Sequence, residues 1–148
     1  MASIYEPSDR NLLLARIDRL TPQNKANWGK MNVLEMLAHG VKSESMMQGD
    51  MVIKPVFIGK IIGKMILNKI LKDDAPFGKN SPTSAHLKSI GHTGDFEAER
   101  ENWKAAISRY AAFDKPGIVH PFFGKMDRDQ IGRFAHKHIN HHLQQFGV

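Results

Sequence analysis

Histidine is the residue type with which this chain would do chemistry. His136, His138, His141 and His142 crowd its C-terminal stretch, just before Gln145-Phe146-Gly147. His138 and His142 stand at i and i+4, so on a helix their imidazoles project the same way from successive turns. That is the spacing by which one helix offers two ligands to a divalent metal. Eight histidines scattered at random over this length would give roughly 0.4 such pairs, so spacing alone does not make a site. At about 100° per residue, Ile131, Ala135, His138, Ile139, His142, Leu143 and Phe146 share one face. His142 is near its middle and His138 at its edge; His141 flanks the stripe and His136 lies away from it. Burying two unpaired imidazoles is costly, so a metal or hydrogen-bonding neighbours must satisfy them.

A metal site needs at least one more ligand from another element. His39 is the first candidate, but periodicity does not place it inward. Leu34, Leu37 and Val41 mark the clearest apolar stripe of its helix, and His39 lies roughly opposite. A second stripe of Met36, His39, Ser43 and Met46 serves only if that helix is buried on two sides. Glu35 is the runner-up ligand, although a capping role explains it more simply. His86, His92 and His120 fall in expected loops and read as solvated. The chain has no cysteine, which excludes disulfides, thiolate-zinc sites and cysteine nucleophiles. It has no serine nucleophile motif, and Gly59 to Lys64 lacks the phosphate-loop pattern.

The elements that would position these residues are helical. Ser8-Asp9 caps an amphipathic helix carrying Leu12, Leu13, Ile17 and Leu20, which stops at Thr21-Pro22. Asn32 with Glu35 forms a capping box for a second helix through about Met47. Pro55 opens an apolar helical segment to about Lys72 that includes Gly59 and Gly63. Residues 73–94 read as a long loop. A further helix is expected over 95–113, acidic in its first turns as the helix dipole favours. Residues 114–125, with Pro116, Gly117, Pro121 and Gly124, read as another loop, after which Asp127 caps a last helix to about Phe146. Strand signals are sparse. The expectation is an all-α fold, a four-helix bundle with an extra helical segment between its second and third helices, in a single domain over 1–148.

The net charge of +6 raises the question of an anionic partner. Much of the excess sits in one stretch, Lys54, Lys60, Lys64, Lys69 and Lys72; elsewhere acids and bases alternate as on a solvated surface. Nucleic-acid binding is therefore not expected. The segment 55–72 has two readings. Lysines beside Phe57, Ile58, Ile61, Ile62, Met65, Ile66 and Ile70 resemble an interfacial membrane helix, too short and charged to span a bilayer. The preferred reading is a helix packed across the bundle or into a dimer contact, because lysine stems cover apolar surface routinely. The N-terminal residues show no signal-peptide pattern, which points to a cytoplasmic protein.

Taken together, the motifs resemble the DinB/YfiT-like superfamily, in a branch of unknown function. The matching pieces are Trp28-Gly29-Lys30-Met31-Asn32 leading to Met36-Leu37-Ala38-His39, His120-Pro121-Phe122-Phe123-Gly124, and His138-Ile139-Asn140-His141-His142-Leu143-Gln144-Gln145-Phe146. The resemblance implies an up-down-down-up bundle and a divalent metal held by His39, His138 and His142, with Gln145 completing the closing motif. Zinc and nickel suit an all-nitrogen site best, with manganese a further candidate. The resemblance also implies a metal-dependent hydrolase or low-molecular-weight thiol transferase acting on a small molecule, and a homodimer. The competing expectation is a metal-free helical protein that works by self-association or by binding an anionic partner.

Overall fold

The computed structural model describes residues 1–79, 81 and 83–148. Among them are five α-helices and one two-stranded antiparallel sheet: α1 (Pro7–Ile17), α2 (Val33–Met47), α3 (Phe57–Ile70), α4 (Phe96–Ser108), β1 (Gly117–His120), β2 (Gly124–Asp127) and α5 (Arg128–Gln145). Short 3₁₀ turns occur at Ala85–Leu87 and Arg109–Ala112. The architecture is thus mixed, and the expected all-α four-helix bundle is wrong. Residues 114–125 were expected to be loop because of their Pro and Gly, yet those residues build a hairpin. Gly117 pairs with Asp127 and His120 with Gly124, leaving Pro121-Phe122-Phe123 as the loop. Gly124 has φ +72°, the left-handed conformation that closes such three-residue hairpins.

Capping explains where the site-bearing helices begin. Asn32 and Glu35 form the expected reciprocal box at α2, and Asp127 with Gln130 forms another at α5. Asp95 accepts from the Ala98 N–H at the start of α4. At α1 the expectation fails: Pro7 takes the first turn, the cap position is Glu6, and no side chain caps it.

Helix α2 packs on both α4 and α5, while α1 packs on the same two helices. Trp103 crosses α2 at Gly40, where an added Cβ would stand 2.5 Å from the indole. The core runs through Leu13, Ile17, Leu37, Trp103, Ile107, Ile131, Ile139 and Leu143. The long loop expected over 73–94 holds the Ala85–Leu87 turn; its positions 80 and 82 lie outside the described residues. No helix among the described residues is long and apolar enough to cross a membrane.

Helix α3 packs through two glycines and Leu67, while Phe57, Ile58, Ile61 and Met65 stay exposed. Gly59, Gly63 and Leu67 form its buried face. A Cβ on Gly59 or Gly63 would overlap the Phe122 carbonyl oxygen in the hairpin loop. Replacing glycine by alanine in a helix ordinarily gains about 1 kcal/mol. Here overpacking against backbone costs about 1–3 kcal/mol or more, so the sign reverses. Gly63→Ala should destabilise the protein by about 2 kcal/mol in urea unfolding; an unchanged or raised midpoint would refute this packing.

Candidate metal centre

Helix α2 contributes His39 and α5 contributes His138 and His142. One ring nitrogen from each lies within 4.8 Å of the other two. The ring centroids are 4.9 Å apart for His39–His142, 5.4 Å for His39–His138 and 4.6 Å for His138–His142. His39 is 2% exposed and His142 6%, while His138 is half-buried at the rim. The inward position of His39 follows from burial of α2 on two sides: Met36, His39, Ser43 and Met46 are buried, and so are Leu37 and Ala38.

Neighbouring groups fix two of the three imidazoles. His39 Nδ1 lies 2.9 Å from the Leu87 carbonyl, which can only accept, so Nδ1 carries the proton and Nε2 the lone pair. Gln145 Nε2 donates to the Trp28 carbonyl at 2.7 Å, which orients the amide and turns its Oε1 toward His142. That oxygen accepts from His142 Nδ1 at 2.8 Å, so His142 Nε2 also keeps its lone pair. His142 Nε2 faces His138 Nε2 at 3.2 Å, and His39 Nε2 has only a long contact of 3.4 Å with Ser43 Oγ. Metal-binding histidines characteristically donate their outer N–H to a carbonyl or carboxamide in this way.

Burial depresses the His39 pKa, although its Leu87 hydrogen bond opposes the shift. His138 is held well below the ordinary imidazole value by burial first, then by the neighbouring His142 and His39. Burial and His39 push His142 down to about 3. All three are therefore neutral at pH 7, which is the ligand form. The donor set also has the right scale. Two nitrogens on a tetrahedral zinc, each at 2.0–2.1 Å, stand about 3.4 Å apart, and the His138–His142 pair already matches. The three residues fit a divalent ion, and they make a possible three-histidine metal site.

The remaining histidines divide. His86 is exposed, as expected, and His92 pairs with Glu99 at 3.1 Å. His120 is buried rather than solvated. Its Nδ1 accepts from the Phe122 and Phe123 N–H groups at 3.1 and 3.2 Å, which holds the hairpin loop closed. Burial lowers its pKa to about 4. The sequence signal for it was Ile118-Val119 between two glycines, with Gly124 placed to close the turn. Glu35 does not join the cluster; it accepts from the Asn32 and Gly91 N–H groups. The rim carries Trp28, Phe77 and His141: the His141 ring lies tilted, 5.5 Å from Trp28 and 5.7 Å from Phe77 between centroids.

Fold and site together define a mixed, mainly helical protein with a buried cluster of three histidines from two helices. The chain belongs to the family described as a protein of unknown function (DUF1569), which matches residues 8–147 and so includes every cluster residue. Neither a curated protein nor a solved structure matches it.

Proposed function

We propose that this protein binds one divalent metal through His39, His138 and His142 and uses it on a small-molecule substrate. The observation that carries this reading is the convergence of three neutral imidazoles, two with outer nitrogens tied off by Leu87 and Gln145. Three protein ligands leave a coordination position open, the pattern of catalytic rather than structural zinc. Zinc or nickel suits the all-nitrogen donor set, with manganese next. Bound there, the ion would supply a Lewis acid and lower the pKa of a coordinated water or thiol. The chain's residues would position the ion, with buried His39 and His142 on its inner side, and leave the half-buried His138 side open to substrate.

The order His39, His138, His142, Gln145 is also that of the DinB/YfiT-like motif, which supports kinship with that superfamily at the level of the site. On that kinship the reaction is hydrolysis or transfer of a low-molecular-weight thiol. The test is the metal content of protein purified without an affinity tag. Stoichiometric zinc, nickel or manganese, lost in His142→Ala, sustains the reading. Protein that emerges bare and takes up none of these ions at neutral pH overturns it.

A further inference from the structure

Helix α3 turns Gly59, Gly63 and Leu67 inward and four large apolar side chains outward. Phe57 is 76% exposed, Ile58 52%, Ile61 65% and Met65 65%. On a helical wheel these four fall within an arc of about 100°. Lys60 and Lys64 flank that arc on one side and Lys69 on the other, all exposed. We infer that this face of α3 docks on an anionic lipid surface, lying flat in the bilayer interface with its lysines among the headgroups. The inference is independent of the metal reading.

Two observations select this occupant. First, α3 has no second face to offer the protein. Its inner side is already seated on the hairpin through Gly59 and Gly63, and Lys137 clamps its C-terminus by donating to the Ile70 carbonyl at 2.6 Å. The outer face is therefore held rigidly outward. Second, the charge is of one sign. From Met51 to Lys72 there is no Asp or Glu, while Lys54, Lys60, Lys64, Lys69 and Lys72 are all exposed. A second copy meeting this face about a two-fold axis would bring like charges together, because an isologous contact offers each patch only itself. An anionic bilayer supplies the missing charge and takes the apolar stripe below its headgroups.

The patch continues onto the hairpin. The Lys64 ammonium donates to the Lys125 carbonyl, and exposed Lys125 pairs across the sheet with Val119, itself 62% exposed. At 14 residues α3 is too short to span a bilayer, so it would lie along the surface.

The experiment is co-sedimentation of the full chain with vesicles of phosphatidylcholine alone or mixed with phosphatidylserine. At low salt the expected partition onto the mixed vesicles exceeds that onto phosphatidylcholine by at least about tenfold, and salt reverses it. Lys60→Glu with Lys64→Glu should lower the partition by about tenfold or more. Ile61→Asp should lower it comparably by removing an apolar anchor; circular dichroism verifies that both variants are folded. Equal partition onto the two vesicles, or none at low salt, overturns the inference. So does a concentration-dependent dimer in sedimentation velocity that Ile61→Asp dissociates, since the face would then belong to a second copy.

Discussion

Zinc added to the metal-free protein at about a hundredfold excess over its Kd should raise the melting temperature by about 5–10 °C. Binding to the folded state alone at that excess adds about 2.7 kcal/mol. For a chain of this size each kcal/mol is worth about 2–4 °C. His39→Ala, His138→Ala and His142→Ala should each abolish the shift, because two imidazoles no longer close around the ion. Gln145→Ala keeps all three ligands but releases His142 Nδ1, and should weaken zinc by about ten- to a hundredfold. His141→Ala is the control: its ring lies beside His142 but outside the three-nitrogen cluster, and the shift should persist. Differential scanning calorimetry in matched zinc and chelator decides the matter. A shift of equal size in wild type and His142→Ala would mean that zinc binds elsewhere, and the centre would be abandoned.

The graded response expected of Gln145 and His142 shows how much of the site was legible. The C-terminal helix could be read almost residue by residue: Asp127 caps it, its apolar face is buried, and His138 sits at the edge of that face. These features survive because one helix buried on one side obeys a single period. His39 was not legible from its own helix, since α2 is buried on two sides and a two-sided helix has no single stripe to follow. Resemblance, not periodicity, pointed to it. The hairpin was hidden for another reason. Its strands are four residues each, too short for alternation to register, and its glycines read as loop. His120, its last β1 residue, reads as solvated for the same reason, yet it is buried. At α3 the apolar residues suggest a packed helix, and it does pack, but by Gly59, Gly63 and Leu67, with Phe57, Ile58, Ile61 and Met65 left exposed. A glycine seam contributes nothing to a hydrophobic stripe.

Glu44, one turn beyond Gly40 on α2, carries the other large effect. It is 1% exposed, its Oε2 accepts from the Tyr110 hydroxyl at 2.6 Å, and no salt bridge among the described residues reaches it. Burial pushes its pKa from 4.5 up to about 7, with the Tyr110 hydroxyl and Trp103 indole restraining the rise. The folded state therefore holds a proton here that the unfolded chain releases above pH 4.5. This favourable term is full below that pH and is lost as pH rises toward 7, a swing of about 3 kcal/mol. His120 runs the other way over the same window. Its folded pKa of about 4 lies below the ordinary 6.5, so its contribution is full above pH 6.5 and lost as pH falls toward 4. The Glu44 swing thus masks acid lability of similar size, about 3 kcal/mol, from His120. Glu44→Gln keeps an oxygen for Tyr110 but cannot titrate. In chelator, urea unfolding from pH 4.5 to 8 should show the variant gaining about 3 kcal/mol on wild type as pH rises, and losing stability more steeply toward acid. Parallel curves across that range would mean that Glu44 is ionised in the folded protein, its charge compensated by a bound cation or water.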